Sequence, residues 1–150
     1  MRGIKNNSGV KNMMFQSKLA TFFSALILAG SAFASQQGAC PDINVIKAEG
    51  LPMAEEIGMN YYLAYNISDY STSSVWGFFI APIEADSEEG ALEASNEVLS
   101  MMNAPGVPHQ QDEDIICSYD TGTPNLIAAA IKDGSQISPM KLKQYFKSAR

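Results

Sequence analysis

The sequence predicts an α+β domain with the element order α-β-β-α-β-β-α and a four-stranded, mainly antiparallel sheet. Two pairs of strand-like segments lead to this prediction, because strands that follow each other across a short turn form hairpins. An amphipathic segment lies between the pairs, and a further helical segment lies at each end. Helices packed on an antiparallel sheet in this way define the α+β class.

The first 34 residues have the pattern of a secretory signal peptide. Four cations and no acid precede or flank the apolar run LATFFSALILAG, which is shorter than the roughly 20 residues that span a bilayer. The run is followed by SAFA, in which Ala32 and Ala34 are the small residues that a signal peptidase requires. We therefore expect cleavage after Ala34 and export to the periplasm or beyond. Met13 or Met14 is an alternative start that gives a leader of more usual length.

Residues 35–150 are predicted to form a single domain, because a chain of this length supports one hydrophobic core and not two. All 16 acids and six of the ten cations lie in this part of the chain, so its net charge is −10. A surface of that charge repels nucleic acid and anionic lipid, and neither is an expected partner. We also expect no membrane span after signal cleavage.

Cys40 and Cys117 are the two cysteines of the sequence. Export would place both in an oxidising compartment, where two thiols usually pair. We therefore expect a disulfide between them, with two free thiols or a metal pair as the alternatives. Two cysteines and a single histidine are a poor ligand set for zinc, which disfavours the metal.

The segment CPDINVIKAEG predicts a short first helix. Pro41 suits the first helical turn, where its missing N–H costs nothing. Ile43 and Ile46 recur at helical spacing, and Gly50 is a suitable residue to end the helix. The predicted disulfide would join this helix to the third predicted strand.

The first predicted hairpin consists of YYLAYNIS and VWGFFIAPI, with DYSTSS as its turn. In the first segment Tyr61, Leu63 and Tyr65 lie at alternate positions, as in a half-buried strand. The second segment is apolar at nearly every position, which indicates burial on both faces. Pro82 predicts that this strand ends nearby or lies at an edge of the sheet.

The segment DSEEGALEASNEVLSMM predicts an amphipathic helix. Asp86 and Glu89 are expected to form a capping-box pair, and the acids of the first turn suit the helix dipole. The side chains expected to pack on the sheet are those of Leu92, Ser95, Val98, Leu99 and Met102. The opposite, acidic face is expected to be solvated.

The second predicted hairpin consists of IICSY and LIAAAI, separated by a turn at 121–125. The preceding stretch VPHQQDED is expected to be a solvated acidic loop around His109, with cation binding as the alternative. Ser138 and Pro139 are expected to begin a last helix that is rich in cations. These cations either favour the helix dipole or form an anion or partner site.

Four segments resemble the small exported haemin-binding proteins of Legionella, and they are CPDINVIKAEGLPMAEEI, YLAYNISDYSTSSVWGFFIAPI, ADSEEGALEASNEVLSMM and ICSYDTGTPNLIAAAI. Together they cover nearly all of the chain after the leader. The resemblance implies binding of haem or haemin, a role in iron acquisition, and export to the periplasm or beyond. It provides no ligand motif that can be transferred position by position.

Haem needs an axial ligand such as His, Cys, Met or Tyr, and an apolar slot. A disulfide would remove the thiolate of Cys40 from this set. The candidates for ligation or for the wall of the slot are His109, Tyr61, Tyr65, Met101, Met102 and Trp76. The candidates for binding the anionic propionates are Lys141, Lys143 and Lys147, because the net charge of the domain otherwise disfavours an anionic ligand.

The alternative function is that of a secreted, virulence-associated module for protein interactions. Its contact surface would be the aromatic hairpin or the acidic face of the central helix. Catalysis is not expected, because a nucleophile, a base and an orienting group should be identifiable, and the sequence has a single histidine. We likewise expect no metal site other than one for haem iron.

Overall fold

The computed structural model describes residues 40–134 and 136–150, and the predicted leader lies outside the described residues. The elements of the described part, in chain order, are α1 (Ile43–Glu49), β1 (Met53–Gly58), β2 (Tyr61–Ser68), β3 (Trp76–Glu84), α2 (Glu88–Met101), β4 (Val107–Gln111), β5 (Asp114–Tyr119), β6 (Ile127–Lys132) and α3 (Pro139–Ala149). The chain therefore has an α+β fold, as the sequence predicts.

The strands of the described residues form one six-stranded sheet in the order β1-β2-β3-β6-β5-β4. Every neighbouring pair is antiparallel. The antiparallel pairing predicted within each hairpin, β2 with β3 and β5 with β6, is present. The prediction of four strands is wrong, because β1 and β4 each add a strand at one edge of the sheet.

The strand β4 corrects the predicted acidic loop. It pairs with β5 from Val107 opposite Ser118 to Gln111 opposite Asp114, and all five of its side chains are exposed. A strand with no buried side chain has no alternation of apolar and polar residues, so the sequence gives no period-two signal here. Pro108 is tolerated in β4 because an edge strand has one side without ladder partners.

Helices cover both faces of the sheet. Successive residues of a strand point to opposite faces, and β3 shows this directly. Phe78 and Ile80 pack in one core together with α1 and α2. Phe79 and Ala81 pack in a second core against α3. The two-sided burial predicted for the segment that forms β3 is therefore confirmed.

Pro82 does not mark the end of β3 or an edge of the sheet. β3 continues to Glu84 and lies between β2 and β6, near the middle of the sheet. The register between β2 and β3 shifts between Tyr62 and Ala64, where β3 contains one more residue than β2. Pro82 lies in this bulge, one of the few places where an interior strand tolerates proline.

The helix ends confirm two of the predicted caps and correct two others. Gly50 ends α1 with φ of 72°, and Ser138 caps α3 by accepting a hydrogen bond from the N–H of Lys141. Asp42, not Pro41, begins α1, because its side chain accepts from the N–H of Asn44. The cap of α2 is Ser87 and not Asp86, since the Ser87 side chain accepts from the N–H of Gly90.

The predicted disulfide is confirmed. Cys40 and Cys117 are bonded, with their Cα atoms 5.7 Å apart. The bond ties the residue that precedes the cap of α1 to the middle of β5. None of the helices in residues 40–134 and 136–150 is long and apolar enough to cross a membrane.

Candidate functional site

A cleft of about 910 Å³ lies at one end of the sheet. Its floor is formed where β2 begins, β3 ends and β6 begins, and its two walls are formed by α2 and α3. The cleft falls in the range of about 300–1,000 Å³ that is usual for small-molecule sites. A smaller depression of about 380 Å³ lies at the opposite end of the same strands, beside Val75 and Lys132.

The α2 side of the cleft is apolar. Ala94 and Val98 form this wall, one helical turn apart, and Ile83 and Leu126 continue the apolar surface across the sheet end. Such a surface favours the burial of a flat or extended apolar group, at about 25 cal/mol per Å² of apolar area removed from water.

The α3 side of the cleft is cationic. Lys143, Lys147 and Arg150 follow one another at helical spacing and all line the cleft. Lys143 forms an ion pair with Glu55. In the described part of the chain, neither Lys147 nor Arg150 has a carboxylate within ion-pair distance. Positive charge without an acidic partner is therefore concentrated on this wall, in a domain with an acidic surface.

The guanidinium of Arg150 lies 5.4 Å from the centre of the Phe146 ring. At this distance the ring face attracts the cation, which orients Arg150 without neutralising its charge. Phe146 itself is buried against the sheet. Arg150 is thus held against the α3 core by this ring.

Tyr61 contributes the aromatic hydroxyl of the cleft floor. It is the first residue of β2, pairs with Glu84 of β3, and both residues line the cleft. Its side chain is 43% exposed. Its hydroxyl makes no hydrogen bond to another described residue, so it remains available to a ligand.

The model of a family described as a domain of unknown function, DUF4949, matches residues 39–145. The chain belongs to this family. No curated protein and no solved structure matches the chain. The matched residues of this DUF4949 domain include both cysteines, all six strands of the described sheet and most of α3.

Three of the residues predicted to contact haem are core residues of the DUF4949 domain. Tyr65, Trp76 and Met102 are 6%, 2% and 2% exposed. The Tyr65 hydroxyl donates to Glu55 at 3.4 Å, and Nε1 of Trp76 donates to Oγ1 of Thr72 at 3.1 Å. Burial, together with the charge of Glu55, raises the pKa of Tyr65. These side chains stabilise the fold and do not line the cleft.

Two further predicted haem residues are exposed but lie away from the cleft. His109 is on the edge strand β4, opposite Ile116, and Met101 is in the last turn of α2 with 66% exposure. Neither lines the cleft. The six predicted haem residues therefore do not form one site, and Tyr61 is the member of the set that the fold places in the cleft.

Of the three lysines predicted to bind the propionates, two line the cleft and one does not. Lys143 and Lys147 line the cleft, whereas Lys141 is ion-paired with Asp133 and Asp114. The hydrogen bond to Asp133, with further contributions from Asp114, raises the pKa of Lys141. Lys141 therefore joins α3 to the sheet.

Arg150 belongs to the same basic C-terminal segment that the sequence offers for the propionates, and it lies in the cleft with Lys143 and Lys147. The apolar wall was missed, because Val98 and Leu126 come from distant segments. Within the described residues, no group of three or more His, Cys, Asp or Glu side chains could hold a metal ion.

Proposed function

We propose that this chain is an exported binding protein without catalytic activity, which holds haemin in the cleft between α2 and α3. The observation that carries the proposal is the pairing of an apolar wall with a wall on which Lys147 and Arg150 have no acidic partner among the described residues. Haemin has the matching chemistry, because it combines a flat apolar ring with two carboxylates at one edge. The sequence resemblance described above points to the same ligand.

The lining residues fit this ligand in three ways. Val98 and Leu126 would contact the ring, and Lys147 and Arg150 would bind the propionates. Bound haemin would supply the iron, and Tyr61 would present its oxygen to that iron as a ligand. A cationic wall in a domain whose residues 35–150 carry a net charge of −10 also gives an anionic ligand one favourable place to bind.

The cationic wall gives the sharpest test of the proposal. Lys147→Glu replaces an attraction to a propionate with a repulsion, and we expect haemin affinity to fall at least about fivefold, which corresponds to roughly 1 kcal/mol. Lys132→Glu is the matched control, because it changes the net charge by the same amount but lies outside the cleft. We expect this control to bind haemin nearly as tightly as the unaltered protein.

The measurement is a haemin titration of residues 35–150 with the disulfide intact, followed by Soret absorbance. Saturation at one equivalent supports the proposal. An absorbance rise that does not saturate indicates adsorption, which would contradict the proposal and favour the protein-interaction alternative. An equal loss of affinity in Lys147→Glu and Lys132→Glu would contradict the assignment of the ligand to this cleft.

A further inference from the structure

We infer that Tyr61 is the axial ligand of the bound iron, through its phenolate oxygen, and that the cleft therefore selects ferric over ferrous haem. This inference rests on the proposed function and adds to it the liganding atom and the oxidation state of the ligand. It concerns the side chain of Tyr61, which lines the cleft at the start of β2.

The lining of the cleft limits the choice of ligand. His, Cys, Met and Tyr are the side chains that usually ligate haem iron. Among the described residues that line the cleft, Tyr61 is the single member of these four types. The two cysteines are bonded to each other, and His109 lies on the edge strand β4.

The position of Tyr61 on β2 also separates it from the other tyrosines of that strand. Tyr65 lies on the same face of β2, but it is buried and its hydroxyl already donates to Glu55. Tyr62 points to the opposite face, where it packs against the core formed with α1 and α2. Tyr61 alone of the three combines exposure to the cleft with a hydroxyl that has no partner among the described residues.

The coordination step needs no oxidant or reductant. The O–H bond of Tyr61 breaks, its oxygen bonds to the ferric iron, and the water previously bound there leaves. The proton passes to solvent, to which Tyr61 is exposed.

Selection of the ferric state follows from the character of the ligand. A phenolate is a hard, anionic oxygen donor, and such donors prefer the more highly charged, harder metal ion. Reduction of the iron therefore weakens its bond to Tyr61. A site of this kind would hold haemin in an oxidising compartment and release it more readily after reduction.

The test compares Tyr61→Phe with Tyr62→Phe in residues 35–150 with the disulfide intact. The two variants make the same chemical change at adjacent positions, and circular dichroism verifies that both are folded. We expect Tyr61→Phe to lower haemin affinity at least about tenfold, as loss of even an outer contact of a metal ligand does. We also expect it to abolish the phenolate-to-iron charge-transfer band and the matching resonance Raman signals. Tyr62→Phe should retain both the affinity and the band.

Metal-free protoporphyrin separates this inference from the proposed function. It has the ring and the propionates but no iron, so we expect Tyr61→Phe and the unaltered protein to bind it equally. Unchanged haemin affinity and spectra in Tyr61→Phe would overturn the inference while leaving haemin binding in the cleft intact. Failure of both porphyrins to bind the unaltered protein would overturn the proposed function itself. Equal affinity for ferric and ferrous haem would refute the selection of oxidation state.

Discussion

The hydroxyl of Tyr119 donates a hydrogen bond of 2.6 Å to the backbone carbonyl of Pro41. Two residues earlier on β5, Cys117 is bonded to Cys40, the neighbour of Pro41. Residues two apart on a strand point to the same face, so two adjacent residues ahead of α1 are attached to one face of β5. We call this group of four residues the β5 anchor.

The hydrogen bond of the β5 anchor can be tested with Tyr119→Phe. We expect the free energy of unfolding to fall by about 1–3 kcal/mol, because the buried carbonyl of Pro41 loses its partner. The ring remains, and with it the edge-to-face contact with Phe78 at 5.5 Å between ring centres. Urea denaturation measures the change. Tyr145→Phe is the control, since its hydroxyl has no hydrogen-bond partner among the described residues, and an equal loss there would contradict the explanation.

The disulfide of the β5 anchor is expected to contribute more than the hydrogen bond. Reduction should lower the stability by about 2–5 kcal/mol, because Cys40 and Cys117 are 77 residues apart and their bond restricts the unfolded chain. A change of 1 kcal/mol moves the melting temperature of a small domain by about 4 °C or more. Thermal melts with and without reductant measure this effect. The double variant Cys40→Ala/Cys117→Ala should melt at the lower temperature in both conditions, and an unchanged melting temperature on reduction would contradict the prediction.

Alkaline pH is expected to unfold the protein through its buried tyrosines. Burial raises the pKa of Tyr70 and of Tyr119 far above the usual 10.0, with smaller contributions from Glu49 and Asp42 respectively. Both phenols are therefore neutral in the folded state at a pH where the unfolded chain ionises. Their contribution to stability is complete below pH 10 and is lost progressively as the pH rises above that value.

Tyrosinate absorbance and circular dichroism, followed together from pH 8 upward, test this expectation. The sequence has six tyrosines, and we expect Tyr70 and Tyr119 to ionise only as the circular dichroism signal is lost. Ionisation of all six near pH 10 in a protein that stays folded would show that the two hydroxyls are accessible to solvent.

Gly77 of β3 allows α3 to pack directly on the sheet. A Cβ at this position would lie 2.7 Å from Cγ1 of Ile137 and 2.9 Å from Cδ2 of Leu142, both buried side chains. We expect Gly77→Ala to reduce the stability by about 1–3 kcal/mol, because the core must shift to accept the methyl group. Gly58→Ala is the matched strand control, since no described atom lies within 4 Å of its added Cβ. Equal unfolding midpoints for the two variants would rule out this close approach.

The central strands and the helices could be predicted because burial leaves a pattern in the sequence. The apolar run of β3 and the alternation of β2 both result from contact with a core. The edge strands have no such pattern, since β4 buries no side chain and β1 carries Glu55 and Glu56 beside a bulge at Ile57. Their existence depends on pairing with β2 and β5, which is a property of the folded chain.

The cleft could be predicted only in part, for a related reason. The cations of α3 are close in sequence, so Lys143 and Lys147 were recognisable as an anion site. Tyr61, Val98 and Leu126 come from three separate segments, and only the strand order of the sheet brings them together. Residue chemistry suggested the kinds of side chain, but it could not show which of them share a surface.

The strand order β1-β2-β3-β6-β5-β4 divides the described sheet into two equivalent halves. Each half is a helix followed by three strands, α1-β1-β2-β3 and α2-β4-β5-β6, and both helices lie on the same face. In this order β3 pairs with β6 at the centre of the sheet, β2 and β5 flank them, and β1 and β4 are the two edges. The β5 anchor joins the two halves, because Cys40 belongs to one and Cys117 to the other. A protease cut in the linker at 85–87 would therefore leave two fragments that remain covalently joined and share the β3–β6 ladder.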